Sequence, residues 1–140
     1  MKPTLHLTNW SFKRLHGPGR KWTIMAAPRG WERGDGVAPA FVPPHHWLCA
    51  VQEGRMTESA YFDGLRGRWS GVYGTPEPFA PGGLLAYVGI WSRAVADGDS
   101  LLCCCSREKA AEGRCHRATA APFLTRAGWR VLLDGVEVTT

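Results

Sequence analysis

The sequence has 140 residues, of which 44% are hydrophobic and seven are Trp, so it can bury a core within one domain. It contains no apolar stretch of about 18 residues and no apolar leader after Lys2, so neither a membrane partner nor secretion is expected. We therefore predict one cytoplasmic domain over residues 1–140, in which 17 Gly and 10 Pro indicate many loops.

The net charge of +5 is concentrated near the N-terminus. Residues 1–33 contain seven Lys or Arg and one acidic residue, whereas residues 34–140 contain ten Lys or Arg and eleven acidic residues. A positive surplus confined to one segment predicts an anionic partner there. Five Cys, three of them consecutive, indicate reduced thiols rather than a disulfide framework in a cytoplasmic chain.

The first part of the chain predicts two strands and a long loop. Residues 4–8 alternate between polar and apolar side chains, and residues 21–26 form a second short apolar run, so both segments predict strands. Residues 28–44 contain four Pro and three Gly, a composition that fits no regular element and is typical of an ordered functional loop.

Three helices are predicted in the middle of the chain. Residues 45–52 place apolar side chains on one face, and residues 57–66 begin at a capping Thr57. Residues 69–82 are rich in Gly and Pro and predict a loop. From Gly83 onward, an apolar stripe at helical spacing predicts the third helix; its members are Leu84, Val88, Trp91 and Val95.

The last third of the chain predicts a strand–helix–strand unit, which is the crossover connection of a parallel sheet. Its predicted elements are a buried strand at 101–105, a loop at 106–113, a helix from about Arg114 to Ala127, and a hairpin of 129–133 and 136–138 about Asp134-Gly135. Pro122 predicts a kink or two short turns in the helix. We predict an α/β fold with a small, mainly parallel sheet, flanking helices and a C-terminal β-hairpin, in which the strands at 101–105 and 130–133 form the central pair.

Cys115-His116-Arg117 stands at the predicted start of the last helix. Unpaired backbone N–H groups, the helix dipole and nearby cations favour a thiolate there, so we predict a lowered pKa for Cys115 and a nucleophilic role. His116 is then a proton carrier or orienting group, and Arg117 binds an anion. In the alternative interpretation Cys115 and His116 are core residues, and Arg117 is solvated or pins the helix to the sheet through a buried ion pair.

The predicted site lies at the carboxyl edge of the sheet, where open α/β sheets bind their ligands. The first hypothesis is therefore a domain that binds, or acts on, a phosphate-bearing or nucleotide-like small molecule. Both a catalytic and a purely binding role fit these residues. The further ligand-binding residues are predicted to be Asn9, Cys105, Arg107 and Arg114.

Residues 10–22 interleave basic and aromatic side chains, a pattern that suits single-stranded nucleic acid because aromatic rings stack on bases and cations hold phosphates. The second hypothesis is therefore a non-catalytic accessory protein that binds nucleic acid or another protein through this segment. The predicted nucleic-acid-binding residues are Trp10, Lys13, Arg14, Arg20 and Lys21. The alternative for the Trp side chains is burial in the core.

Spacing disfavours both a zinc site and a phosphatase-type loop. Structural zinc sites use paired ligands such as Cys-x-x-Cys, which the chain lacks, and the cations around Cys115 and His116 would repel a metal ion. The Cys-to-Arg spacing of phosphatase loops occurs only between Cys49 and Arg55, inside a helical pattern rather than after a strand. No metal and no cofactor is therefore predicted.

The motifs in about the last forty residues resemble the family called domain of unknown function 488, which contains small bacterial and viral proteins. An apolar strand ending in Cys103, Cys115-His116-Arg117 opening a helix, Gly128, and the strand at 130–133 stand in the order of that family. The resemblance implies an α/β fold, a shared Cys-His-Arg site and an origin such as a phage. It implies no reaction.

Weaker similarities are Pro43-Pro44, Tyr61 and the basic first segment. The chain departs from the family two positions after the strand's Cys, where Cys105 replaces the family's acidic residue. Glu108 is the nearest acid, and we assign it to ligand binding in that residue's place.

Overall fold

The computed structural model describes residues 1–71, 79–83, 86–88 and 91–139. The described strands form one sheet: β1 Thr4–Asn9, β2 Lys21–Thr23, β3 Gly36–Val37, β4 Ala86–Val88, β5 Trp91–Arg93, β6 Ser100–Cys103, β7 Arg130–Leu133 and β8 Val136–Glu137. Their order across the sheet is β5-β4-β3-β2-β6-β1-β7-β8. The strands from β3 to β7 in this order are parallel, and antiparallel strands extend both edges. The predicted α/β fold with a mainly parallel sheet is confirmed.

Strand β1 lies between β6 and β7 in the sheet and pairs in parallel with both. The predicted direct pairing of β6 with β7 is therefore wrong. The helix that connects β6 to β7 is about 10 Å wide, which is about two strand spacings of 4.8 Å, so the connection leaves room for one strand between them. Leu5 and Leu7 of β1 are fully buried, as expected for a strand with neighbours on both sides.

The α-helices of the described chain are α1 His45–Gln52, α2 Glu58–Gly71, α3 Arg107–Ala111 and α4 His116–Arg126. Three one-turn 3-10 helices, Lys13–Leu15, Gly30–Glu32 and Pro39–Phe41, lie in segments predicted as loops; with β3, the last two show that the prediction of no regular element at 28–44 is wrong. The prediction for α1 is confirmed. Helix α2 begins where predicted, because the Thr57 hydroxyl accepts a hydrogen bond from the Ala60 N–H at 3.1 Å. It continues past the predicted end because Trp69, predicted in a loop, is buried in the core and donates its indole N–H to the Ala40 carbonyl at 3.0 Å.

Helix α3 lies where the sequence predicts a loop. Ser106 caps it, since its hydroxyl accepts a hydrogen bond from the Lys109 N–H at 3.2 Å. Helix α4 continues through Pro122, whose side chain lies on the exposed side. The chain after α4 turns at Gly128, with φ 109°, and forms the predicted hairpin about Asp134 and Gly135, with φ 48° and 83°.

The helix predicted from Gly83 is wrong. Residues 86–88 and 91–93 form two antiparallel strands, in which Val88 pairs with Trp91 and Tyr87 with Ser92. Aromatic and β-branched side chains are dense in this segment and favour a strand once the exposed edge of β3 is available for pairing. Leu84 of the proposed stripe lies outside the described residues.

The core lies between one face of the sheet and helices α2 and α4. Leu7 is in register with Leu101 and Leu133, and Leu5 is in register with Val131, so these side chains share one face. They pack in one cluster with α4 and with Trp22, Trp69 and Trp129, which are at most 1% exposed. Among the described residues, no helix is both long enough and apolar enough to cross a membrane.

Candidate functional site

The Cys-His-Arg motif lies at the carboxyl edge of the parallel strands, where the sequence predicts it. Cys103 ends β6 and is in register with Asn9, which ends β1. Cys115 is the residue that precedes α4, and His116 and Arg117 begin that helix. Because α4 packs against β1 and β6, the start of the helix and the ends of the two strands meet.

Three cysteines and a histidine form a compact group at this edge, which we call the thiol cluster: Cys103, Cys105, Cys115 and His116. One side-chain N or S atom from each lies within 4.8 Å of those of the others. The Sγ atoms of Cys103 and Cys115 are 3.5 Å apart, and both residues are buried. Cys105 is half-buried, whereas Cys104 is exposed and does not belong to the cluster. Both lie beyond the end of β6 at Cys103, so the strand predicted at 101–105 ends two residues early.

The structure contradicts the lowered pKa predicted for Cys115. Hydrogen bonds to Cys103 and Cys105, together with burial, raise the pKa of Cys115 far above its ordinary value. For Cys105, the hydrogen bond to Cys103 and burial outweigh the opposing hydrogen bond to Cys115 and raise the pKa to about 12. Burial opposes ionisation of Cys103 as well, but hydrogen bonds from its two neighbours and the charge of Arg117 bring the Cys103 pKa well below its ordinary value. Negative charge in the cluster therefore favours Cys103, which is nearest the guanidinium.

Arg117 is fully buried, so it is not the exposed anion-binding residue that the sequence predicts. Its Nη1 donates to the Cys105 carbonyl at 2.8 Å and to Cys103 Sγ at 3.0 Å. Its Nη2 donates to both carboxylate oxygens of Asp134, at 2.9 and 3.1 Å. The buried ion pair of the alternative interpretation is thus present, and it ties α4 to the hairpin.

His116 is held by a backbone carbonyl. Its Nε2 lies 2.8 Å from the oxygen of Ile24, the residue after β2. A carbonyl can only accept, so Nε2 carries the proton and Nδ1 of the neutral ring keeps its lone pair. Burial lowers the pKa of His116, which keeps the ring neutral.

A cavity of about 420 Å³ lies against the thiol cluster, and we call it the thiol pocket. Cys105, Cys115 and His116 line it together with Cys104, with apolar side chains and with the charged side chains of Glu58, Lys109 and Arg114. Arg114 donates hydrogen bonds to Glu58, at 2.6 and 3.2 Å, and to Glu112, at 3.0 Å. These two carboxylates therefore already bind the guanidinium that the sequence predicts to bind a ligand.

A second cavity, of about 510 Å³, brings together cations from two distant segments. Lys13 and Arg14 follow β1, and Arg107 begins α3. We call this site the basic cavity; its lining residues are Ser11, Phe12, Lys13, Arg14, Leu15 and Arg107, and none of the described residues that line it is acidic.

Asn9, predicted to bind ligand, lines neither of these two cavities, because its side chain is hydrogen-bonded to neighbouring backbone groups. Its side-chain oxygen accepts from the Ser11 N–H at 2.7 Å, and its amide donates to the Cys105 carbonyl at 2.8 Å. Glu108 is exposed on α3, and it lines a separate cavity with Arg107 and Asp134.

The predicted nucleic-acid-binding residues do not form one surface. Lys13 and Arg14 lie near the carboxyl end of β1, whereas Arg20 and Lys21 lie at the amino end of β2, which runs parallel to β1 through β6. Trp10 is only 6% exposed, so its ring is not available for stacking on a base. The alternative prediction, that this Trp side chain is buried in the core, is correct for Trp10.

Sequence reasoning missed two members of the site. The sequence predicts Asp134 only as a turn residue, and it predicts Cys103 only as a buried strand residue and as one position of the family motif, not as a site residue. The i, i+2 spacing of Cys103 and Cys105, followed by Cys115-His116 at a helix start, was the available signal for the cluster.

Comparison with protein-family models, with curated proteins and with solved structures gives no match to this chain. The resemblance to domain of unknown function 488 therefore stays a prediction.

Proposed function

We propose that this protein binds a phosphate-bearing, nucleotide-like small molecule in the basic cavity. The observation that carries the proposal is the convergence of Lys13, Arg14 and Arg107 on one concave site. These cations come from segments about ninety residues apart in sequence, so only the fold brings them together.

Charge supports an anionic ligand of this kind. The three cations make no ion pair with any described carboxylate, in contrast to Arg114 and Arg117. Unpaired cations around a concave surface raise the local concentration of anions and leave their hydrogen-bond donors free for phosphate oxygens.

Shape supports a small ligand over a long strand of nucleic acid. The volume of the cavity lies within the range of about 300–1,000 Å³ that small-molecule sites occupy. Phe12 and Leu15 supply an apolar wall against which a base can pack. Arg20 and Lys21, which an extended strand would need, lie at the opposite edge of the sheet.

The test is calorimetric titration with a nucleoside triphosphate, the unphosphorylated nucleoside, inorganic phosphate and a single-stranded oligonucleotide. We expect the triphosphate to bind, the nucleoside to bind much more weakly, and affinity to fall with added salt. Arg107→Ala should weaken binding by about tenfold, the factor for a lost charge-assisted hydrogen bond of about 1.5 kcal/mol.

A matched pair of double variants separates the basic cavity from general positive charge. Lys13→Ala with Arg14→Ala removes two charges at the cavity, and Arg20→Ala with Lys21→Ala removes the same charge elsewhere. Equal losses in the two variants, or absence of triphosphate binding at low salt, would overturn the proposal. Tighter binding of the oligonucleotide, with both variants affected, would favour the nucleic-acid hypothesis instead.

A further inference from the structure

We propose that the thiol cluster is a structural zinc site, in which Cys103, Cys105, Cys115 and His116 bind one Zn²⁺ ion. This inference goes beyond the proposed function, since none of the four residues lines the basic cavity.

The distances fit a tetrahedral ion. Zinc–sulfur bonds of about 2.3 Å place the sulfur atoms of a tetrahedral site about 3.8 Å apart. The Cys103 and Cys115 sulfur atoms are 3.5 Å apart, and all four donor atoms lie within 4.8 Å of one another. Side-chain adjustments of about 1 Å or less would therefore complete the coordination.

The fold supplies these donors from fixed elements. Cys103 ends a strand in the middle of the sheet, and Cys115 and His116 stand at the start of the helix packed on it. Cys105 lies two residues beyond the end of β6, and its carbonyl accepts hydrogen bonds from the Asn9 side-chain amide and from Arg117 Nη1, both at 2.8 Å, which hold the backbone there. The donors are thus close together without a rearrangement of the backbone.

The hydrogen bond of His116 prepares its ring to bind a metal ion. Metal-bound histidines usually donate their other ring N–H to a carbonyl or carboxylate, which fixes the orientation of the ring. His116 Nε2 donates to the Ile24 carbonyl at 2.8 Å, and the lone pair of Nδ1 is left for the ion.

Arg117 balances charge rather than repelling the metal. One Zn²⁺ with three thiolates and a neutral imidazole carries one net negative charge. The guanidinium donates to Cys103 Sγ at 3.0 Å, as second-shell donors to zinc-bound sulfur do. In the sequence analysis the positive charge near Cys115 disfavours a metal ion. In the structure the charge of Arg117 instead compensates the negative charge of three zinc-bound thiolates.

The donor set selects the ion and its role. Thiolate and imidazole prefer zinc, whereas magnesium and calcium require oxygen donors. Four protein ligands leave no open coordination position for a substrate, so the ion joins the end of β6 to the start of α4.

The test begins with metal analysis of the full chain purified under reducing conditions, and we expect one zinc per chain. The metal-free, reduced chain is then titrated with Co²⁺, which should give the intense visible bands of a tetrahedral ion and a sulfur-to-cobalt charge-transfer band. Added Zn²⁺ should displace the cobalt and abolish both.

Cys105→Ser and Cys104→Ser provide the matched pair of variants, since Cys105 belongs to the thiol cluster and its neighbour Cys104 does not. We expect Cys105→Ser to weaken zinc binding by at least about 100-fold, the upper range for loss of a supporting group alone, and Cys104→Ser to leave it unchanged. The wild-type titration needs no variant to fold. Absence of a cobalt–thiolate spectrum in the reduced wild type, or equal loss in both variants, would overturn the proposal.

Discussion

Asp134 holds Arg117 with both carboxylate oxygens, and the same carboxylate accepts a hydrogen bond from the Thr8 hydroxyl at 2.7 Å. A residue of the hairpin turn thus connects β1 to the first turn of α4. The Arg117 side chain has no exposed surface, so its charge depends on this partner.

Asp134→Asn should lower the free energy of unfolding by about 3 kcal/mol, because removal of one member of a buried pair leaves the other charge uncompensated. Asn tolerates the positive φ of 48° at this position, so backbone strain does not confound the result. Urea denaturation measures the effect. Asp63→Asn removes the exposed partner of Arg66 and should cost less than about 1 kcal/mol. Similar losses in the two variants would contradict the assigned role of Asp134.

Arg117→Lys should also destabilise the fold, by about 2 kcal/mol or more. Lysine keeps the charge but cannot bond Asp134, Cys105 and Cys103 together in the fixed geometry of a guanidinium. Thermal melts and triphosphate titration of the same variant provide the two readouts. The melting temperature should fall while the affinity of the basic cavity stays within about twofold of wild type. If the melting temperature were unchanged and the affinity for the triphosphate were lost, Arg117 would be a ligand-binding residue, as the sequence predicts.

The order of thiol alkylation in the native protein should follow exposure. Cys104 is exposed and should react first with iodoacetamide, whereas Cys103 and Cys115, at most 1% exposed, should react only on unfolding. Peptide mass spectrometry after a short exposure to the reagent gives the order. Fastest reaction at Cys115 would restore the nucleophile predicted from the sequence.

His6 should make stability depend on pH. Burial, then the positive charge of Arg130, outweigh the attraction of Asp97 and lower the pKa of His6 below 6.5. The unfolded chain therefore binds more protons than the folded chain between the two pKa values, so stability is lost as pH falls below 6.5. Urea midpoints of wild type and His6→Gln across this range should converge toward low pH, and parallel curves would contradict this account.

Two glycine substitutions should have opposite signs. A Cβ at Gly17 would lie 2.1 Å from the Gly98 carbonyl oxygen and 2.4 Å from the His6 ring, so Gly17→Ala should destabilise the protein. A Cβ at Gly67, inside α2, meets no atom within 4 Å, and Gly67→Ala should stabilise the helix by about 0.5–1 kcal/mol. Denaturant midpoints compare the two; a stable Gly17→Ala variant would mean that the segment over His6 packs loosely.

Local patterns predicted the local elements. The strand at Thr4–Asn9, helix α1 and the hairpin about Asp134-Gly135 each depend on residues within one short segment, and all three are confirmed. The helix predicted from Gly83 is wrong because the same four apolar positions also fit a pair of strands. Pairing with the edge of β3, which is distant in sequence, decides between helix and strands.

The geometry of the site could not be obtained in this way. Burial of Arg117 depends on Asp134, and the meeting of Lys13 with Arg107 depends on which strands lie side by side. The sequence shows which residue types are present, but the distances between these side chains depend on the order of the strands in the sheet.

The place of β1 in the sheet has a consequence for synthesis on the ribosome. Its partners are Ser100–Cys103 and Arg130–Leu133, which are translated long after it. The apolar face carrying Leu5 and Leu7 therefore has no native partner strand until nearly the whole described chain has left the ribosome. Such late, non-local pairing slows folding and exposes the nascent chain to aggregation, so this is a protein whose yield in cells should depend on chaperones.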